Sequence, residues 1–368
     1  MIDEGPRLRG GVISLGSKSS LMVIEAMKKY FHQVDDIQVK DIEVSLGKEG
    51  GVFYQGEPLP KYDCLLLKGS FRYAHLLRSV ASLLEDKTPY MPLASSAFTI
   101  VHNKLLTHLT LQQHSIAMPK TYVSSTIDAA KDVLKKVHYP IVMKFPEGTQ
   151  GKGVMFADSL SSASSMLDAL VALRQPFIIQ EFVETGGSDI RALVVGDKVV
   201  GSMKRKAQKD ENRANIHAGG SGEFVELDRI SRKLAVKTAK ALGTDICGVD
   251  ILESPLGPLV IEANISPGLQ GLSQVSKVDV ADEIARYLYQ RTAEVVGVSQ
   301  ELQKKETMKD ILGEPTIGCE EIITSLSFRG ERILLPELVT KMTKFDDDKE
   351  YIIKACKGKL EVLEFKIG

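Results

Sequence analysis

Two strand-like apolar runs, Gly248-Val249-Asp250-Ile251-Leu252 and Val260-Ile261-Glu262-Ala263-Asn264, flank the turn-forming Ser254-Pro255-Leu256-Gly257-Pro258. They constrain the fold more than any other part of the chain. Successive side chains on a strand point to opposite faces, so Glu262 and Asn264 share one face. Asp250 stands among Val249, Ile251 and Leu252, a poor environment for a solvated acid. Carboxylates converging inside a sheet repel each other unless a cation neutralises them. Asp250, Glu262 and Asn264 all offer hard oxygen donors, which suits magnesium or manganese and argues against zinc. The competing arrangement is a hairpin with its acids on a solvated face; the apolar flanks on both sides favour the buried one.

The segment ahead of residue 98 alternates strands and helices. Gly11-Val12-Ile13-Ser14-Leu15 reads as a strand and Gly16-Ser17-Lys18-Ser19-Ser20 as the turn into a helix carrying Leu21, Ile24, Ala26, Met27 and Phe31. A second buried strand follows at 62–67 and a second helix at 74–84, a βαβ order that predicts a parallel sheet. The glycine turn lacks the adjacent Gly-Lys of a phosphate-binding loop, so it reads as a plain strand-to-helix turn. Nor does Gly11 to Gly16 supply the G-x-G-x-x-G of a dinucleotide-dependent oxidoreductase.

A middle unit, 98–182, reads as strand, helix (127–137), strand (139–145), glycine loop, strand, helix (161–173) and strand (177–182). Its loop, Gly148-Thr149-Gln150-Gly151-Lys152-Gly153, would let backbone N–H groups approach a polyphosphate. Lys144 ends the apolar run Ile141-Val142-Met143. A cation there calls for an anion, either a nucleotide phosphate or a nearby acid. Gln180-Glu181-Phe182-Val183 leaves one unit and enters the next, a hinge suited to an adenine edge.

The next unit, 183–296, holds a hairpin turning at Gly196-Asp197, an amphipathic helix (231–242) stopped by Gly243, the acidic strand pair, and a last helix from Asp279 to Arg291. Arg191, Lys204, Arg205, Lys206, Lys209 and Arg213 crowd a segment that also carries Asn215 and His217. Such clustering suits a solvated loop, but arginines on strands suit bidentate grip of a carboxylate or phosphate. Residues 297–314 read as a polar linker, and 315–368 as a β-rich accessory domain too small for a generous core of its own.

Composition excludes several classes. Lys+Arg 47 against Asp+Glu 48 leaves a formal charge of −1, with no basic surplus for nucleic acid or an anionic membrane. No apolar run approaches the ~18 residues of a spanning helix, and the N-terminus has no signal-peptide core. The four cysteines are far apart with no C-x-x-C pair, which suits a reducing cytoplasm.

Taken in order, these pieces resemble the ATP-grasp superfamily, and within it the RimK-type α-L-glutamate ligases. The resemblance rests on Asn103-Lys104, Val142-Met143-Lys144, Glu147-Gly148-Thr149-Gln150-Gly151, Gln180-Glu181-Phe182, Ser188-Asp189-Ile190-Arg191 and Val194-Val195-Gly196-Asp197. It continues through Arg213-Ala214-Asn215-Ile216-His217-Ala218-Gly219-Gly220, the Asp250 strand and Glu262-Ala263-Asn264-Ile265-Ser266-Pro267-Gly268, with order and spacing kept over 98–291.

The resemblance implies an α/β and α+β ATP-grasp fold. A pre-ATP-grasp domain (1–97) would precede a lid (98–182), a metal- and substrate-binding domain (183–296), the linker and the tail. It implies that ATP is held by Lys104, Lys144, Gly148, Thr149, Gln150, Gly151, Glu181, Phe182, Val183, Asp189, Arg213, Ala214 and Asn215. Lys104 and Lys144 would meet the phosphates, Glu181 to Val183 the adenine, and Asp189 the ribose. Asp250, Glu262 and Asn264 would bind two Mg2+ (or Mn2+) ions. Arg191, Arg205 and Arg213 would act catalytically, the first two on the acceptor carboxylate and the transferring phosphoryl group. The implied chemistry transfers the γ-phosphoryl to a carboxylate and lets the amine of L-glutamate attack the acyl phosphate.

The acceptor implied is a protein C-terminus or a small cofactor. The sister group acting on 2-aminoadipate usually reads Asn-Thr-Ala-Arg/Thr-Gly-Gly where this chain has Asn215 to Gly220, which favours glutamate. The tail resembles an AbrB-type swapped β-hairpin, implying a homo-oligomer (dimer or tetramer). Twelve Lys/Arg against fourteen Asp/Glu over 301–368 argue against DNA. A nucleotide-binding regulatory scaffold is the alternative; it predicts losses among the metal and phosphate ligands, and the matched positions show none.

Overall fold

The computed structural model describes residues 7–48, 50–147, 153–206, 221–312, 327–329, 332–335, 339, 341, 343–345, 349–356 and 359–364. Two compact units make up the chain, Met1–Gln303 and Lys304–Gly368.

The first unit opens with β1 (Arg9–Ser14), α1 (Lys18–Met27) and β2 (Gln33–Gln38). A small antiparallel sheet follows, β3 (Ile42–Ser45), β4 (Gly51–Tyr54) and β5 (Glu57–Pro58), before β6 (Cys64–Leu67) returns beside β1. The order β2-β1-β6 is parallel throughout, as the βαβ pattern predicts. Sequence reasoning missed β2, because Gln33-Val34-Asp35-Asp36-Ile37-Gln38 is an edge strand with little apolar content. α2 (Ala74–Leu84) spans the predicted residues, its Ala74, Leu77, Val80 and Ala81 forming one buried stripe. In α3 (Ser95–His102) and α4 (Lys104–Gln113), Asn103 closes one helix and caps the next, accepting from the N–H groups of Leu105 (3.0 Å) and Leu106 (3.2 Å).

The lid sheet follows: β7 (Thr121–Tyr122), α5 (Ile127–Leu134), β8 (Ile141–Lys144), β9 (Val154–Ala157), α6 (Leu160–Ala172) and β10 (Ile178–Glu181). It is antiparallel in the order β7-β10-β8-β9 and has a core of its own around Leu134, Ile141, Met143 and Leu167. Phe98 and Leu111, at the start of the predicted middle unit, pack instead into the core shared by the sheets on either side of it. Each such fully buried side chain contributes about 1.5–3 kcal/mol, so α3 and α4 fasten the parallel β2-β1-β6 sheet to the five-stranded sheet that follows the lid. The glycine loop at 148–152 lies outside the described residues.

The remaining large sheet, β13-β12-β11-β14-β15, is built from β11 (Ser188–Val195), β12 (Lys198–Lys206), β13 (Ser221–Phe224), β14 (Ile246–Ser254) and β15 (Gly257–Asn264). α7 (Arg229–Ala241) lies between β13 and β14; α8 (Gln270–Val275) and α9 (Val280–Leu312) follow β15. Gly196 turns the β11–β12 hairpin at φ +61°, and Gly243 ends α7 at φ +68°, conformations a side chain would strain. One sheet face, with Ile190, Ala192, Val249 and Val260, packs on α7. The other is divided: Leu193, Val195 and Ile246 are covered by α8 and α9, and the polar end is left open. The last helix does not stop at Arg291 as predicted. It continues to Leu312 through the expected linker, because residues 298–312 contain neither Gly nor Pro and are rich in good helix formers.

In the second unit β16 (Ser327–Arg329) pairs with β17 (Arg332–Leu334), and β18 (Tyr351–Cys356) with β19 (Lys359–Glu364), both antiparallel. Among the described residues, no helix is long and apolar enough to cross a membrane.

Candidate active site

The open end of the large sheet faces a cleft of about 570 Å3 whose other walls come from the lid and from the loops after β1 and β6. Cross-strand register fixes the charged row on its floor. Arg205 is opposite Asp189, Arg191 opposite Asp250, Asp250 opposite Glu262, and Asn264 opposite Gly248. Asp189, Arg191 and Asp250 alternate along their strands with residues packed on α7. The bulge in the β14–β15 pairing puts Glu262 on that same open face although Val260, two residues before it, packs toward α7.

Two of the acids are already engaged. Arg191 donates from Nε to Asp250 Oδ1 (2.8 Å) and from Nη2 to Oδ2 (2.7 Å). Arg205 grips Asp189 with two 2.6 Å bonds and places Nη2 2.8 Å from Asp250 Oδ2. Burial pulls the Asp250 carboxyl upward, but the two guanidiniums outweigh it and hold the group below the usual carboxylate range. Burial, then the Asp250 charge, pushes Asp189 up. The resemblance assigns Arg191 and Arg205 to the substrate and Asp189 to the ribose, which requires these groups to face a ligand. In this structure they face one another, the physical reason being that each would otherwise be a buried, uncompensated charge.

Glu262 differs. It is exposed, and among the described residues it has neither a hydrogen bond nor an ion pair recorded. Asn264 Oδ1 accepts from Ser266 N–H (2.9 Å). Three oxygen-bearing side chains on adjacent strands, one of them unengaged, fit a hard divalent cation that keeps part of its shell for water or phosphate. Asp250 retains lone pairs for such an ion, since each carboxylate oxygen accepts more than one partner. No cluster of three or more His, Cys, Asp or Glu occurs among the described residues, so the donor set depends on the carboxamide.

Across the cleft, Lys144 is buried at the end of β8 and donates to Gln180 Oε1 (2.6 Å). Gln180 is oriented in turn by its bond to Thr121 Oγ1 (2.9 Å). Burial lowers the Lys144 ammonium to about 8. The same burial, with the charges of Lys144 and Lys104, lowers His108 to about 4 and keeps it a neutral neighbour. Lys104, at the first turn of α4, also lines the cleft. At the hinge, Tyr122 donates to Glu181 Oε1 (2.7 Å), Phe182 N–H donates to Pro140 O (3.2 Å), and the Phe182 ring meets Phe156 edge-on at 5.1 Å.

The structure therefore brings Lys104, Lys144, Glu181, Phe182, Val183, Asp189, Arg191, Arg205, Asp250, Glu262 and Asn264 to one cleft. Gly148, Thr149, Gln150, Gly151, Arg213, Ala214 and Asn215 lie outside the described residues. Sequence reasoning missed the third wall: Ser17 and Ser19 at the start of α1, Lys68 to Phe71 after β6, and Ser266 to Gly268. The signal for Lys68 was the one recognised at Lys144, a lysine directly after the apolar run Cys64-Leu65-Leu66-Leu67.

Comparison with known proteins bears on the family and the fold. The RimK-like ATP-grasp domain family matches residues 101–288. A protein of Marinomonas sp. named probable alpha-L-glutamate ligase is 36% identical over 273 residues, 73% of this chain and 91% of that protein. One of the same name from Shewanella loihica is 38% identical over 267 residues, 72% and 89% of the two chains. Among solved structures, the ATP-grasp ligase PsnB with minimal precursor, Mg and ADP has a TM-score of 0.62 at 18% identity, covering 79% of this chain and 99% of that one. The RimK domain ATP-grasp protein of Sphaerobacter thermophilus has a TM-score of 0.58 at 19% identity, covering 76% and 98%. These two structures share the fold with this chain.

Proposed function

This chain belongs to the RimK-like ATP-grasp family and is an ATP-dependent ligase joining a carboxylate to an amine, and we propose that its cleft adds L-glutamate to the carboxylate of a protein C-terminus or a small cofactor. One observation carries the reading. Asp250, Glu262 and Asn264 share a sheet face that lines the same cleft as the buried Lys144 of the lid. A fold of this kind binds ATP and magnesium; two ions, with manganese as a substitute, suit the three oxygen donors.

Phosphoryl transfer asks a protein for positioning and charge neutralisation more than for a nucleophile. Lys144 and Lys104 neutralise the triphosphate from the lid side. Asp250, Glu262 and Asn264 hold the divalent cation, which when bound supplies Lewis-acid stabilisation of the developing charge. Glu181, Phe182 and Val183 line the adenine, with Glu181 already oriented by Tyr122. The Arg191–Asp250–Arg205–Asp189 row, two guanidiniums against two carboxylates, keeps the floor rigid; Asp189 offers an oxygen to the ribose from within that row, and Arg191 and Arg205 present their remaining N–H groups to the acceptor and phosphoryl oxygens. Gly148, Thr149, Gln150 and Gly151 are assigned to ATP by the family resemblance, and Arg213, Ala214 and Asn215 to the phosphates and the acceptor side; all seven lie outside the described residues. The amine of glutamate then displaces phosphate, forming the amide.

The test is ADP release by the full chain. It is expected only when magnesium, L-glutamate and an acceptor carboxylate are present together. Release that ignores the amine and the acceptor would count against ligase chemistry. A cell extract incubated with the enzyme, ATP and isotopic glutamate should show the acceptor gaining a glutamyl mass.

For the tail we propose self-association. Ile333, Leu334, Ile352, Ile353 and Leu360 are all at least 43% exposed on its two hairpins, apolar surface that a unit this small cannot cover alone. Deleting 315–368 should reduce the oligomer size seen by light scattering and leave ATP affinity within about twofold. An unchanged mass would remove the proposal.

A further inference from the structure

The third wall of the cleft has chemistry that the nucleotide and the metal do not use. Its centre is Lys68, first residue after β6, 6% exposed. Among the described residues its ammonium makes one hydrogen bond, to the backbone carbonyl of Pro267 (3.2 Å), and no ion pair. Every other basic group buried in this cleft has a stated occupation. Arg191 and Arg205 are tied to Asp250 and Asp189, and Lys144 lies on the lid side, where the triphosphate belongs.

The fold explains why a ligand belongs here. In the order β2-β1-β6 the chain reverses direction across the sheet between β1 and β6, and open parallel sheets bind ligands in the crevice beyond the carboxyl ends of their strands at such a point. Lys68 stands at the end of β6. The start of α1 stands at the end of β1, with Ser17 as its cap, so first-turn N–H groups and the positive end of the helix dipole meet the same crevice.

Three bonds then fix this crevice to the strand carrying the metal-binding side chains. Leu269 N–H donates to Ser19 Oγ (2.9 Å), Gly69 N–H donates to Ser266 Oγ (3.0 Å), and Lys68 reaches Pro267 O. The loop they hold begins two residues after Asn264. The crevice is therefore tied to the loop that follows Asn264, in the same cleft as Lys144 but on a different element.

We propose that Lys68, supported by the N-terminal turn of α1, binds a carboxylate of the amino acid that brings the attacking amine. This rests on the ligase reading. The acceptor's reacting carboxylate becomes the acyl phosphate and must sit by the phosphoryl group. The incoming amino acid keeps its carboxylates throughout, and each needs a cation away from the nucleotide. An ammonium buried without a counter-ion is costly, its own pKa being drawn down to about 8 by burial alone. A bound carboxylate repays that cost, which makes the site selective for an anion over a neutral group.

The experiment is calorimetric titration of L-glutamate into full-length protein loaded with a non-hydrolysable ATP analogue and magnesium. Lys68→Met should weaken glutamate binding by roughly 100-fold, the scale of a buried charge-assisted bond, with affinity for the ATP analogue unchanged within about threefold. Lys68→Arg should recover most of the loss. Lys68→Met should also melt no lower than wild type, because it removes an uncompensated buried charge; this separates a lost subsite from a lost fold. Glutamine and the α-amide of glutamate identify the carboxylate: the analogue lacking it should bind wild type and Lys68→Met equally. Glutamate binding unaffected by Lys68→Met, or an equal loss for the ATP analogue, overturns the subsite and leaves the ligase reading standing. If wild type instead binds and joins a neutral amino acid, the glutamate assignment fails, and the same Lys68→Met comparison on that amino acid decides the subsite. Wild type that binds no amino acid overturns both.

Discussion

Glu262→Gln should lower amide-forming turnover by about 10^3-fold or more, the scale of several kcal/mol of lost charge stabilisation, while the protein melts within about 2 °C of wild type. The two halves of this expectation have separate physical sources. Glu262 is exposed and has no hydrogen bond or ion pair among the described residues, so the folded state loses only a longer-range attraction to the buried Lys144 when its charge goes. The same isolation leaves it, among the three oxygen donors, the one carboxylate fully available to a divalent ion. Steady-state kinetics at saturating magnesium and a thermal melt by circular dichroism check both halves. Wild-type turnover in this variant would remove the metal assignment.

Asp250→Ala should behave differently, losing activity and stability together. Asp250 is 4% exposed and receives both arginines. Removing it leaves Arg191 without a partner, and Arg205 with Asp189 alone. Breaking a buried ionic network from one side costs about 3–5 kcal/mol, which for a unit of this size lowers the melting temperature by roughly 10 °C. Scanning calorimetry of the two variants side by side is the measurement. Equal melting temperatures for Glu262→Gln and Asp250→Ala would show that the arginine–aspartate row is not a strut of the sheet.

Much of this architecture was legible where local pattern decides it. α2 and the hairpin turn at Gly196 follow from apolar spacing and from a backbone conformation that glycine tolerates. β2 was not legible, because an edge strand needs few apolar residues and Gln33 to Gln38 has two. The reach of α9 to Leu312 was misread because polarity was taken for a linker, whereas Lys, Glu and Gln continue a helix readily.

The site divides along the same line. The sequence by itself determined that Glu262 and Asn264 share a face, since strand alternation is a local property with a period of two; that Asp250 joins them was decided by the β14–β15 register. The sequence also determined that Lys144 ends a buried strand, and, through motif order, which family the chain resembles. Only the tertiary structure decided which charges pair. Register sets Arg191 beside Asp250 and Arg205 beside Asp189, and no periodicity within one strand contains the register between two. Tertiary structure also brought Lys68, distant in sequence from every residue of the metal strand, into the same cleft. Long-range packing placed it there, and a buried charge shows its purpose only when the groups around it, and the missing counter-ion, are known.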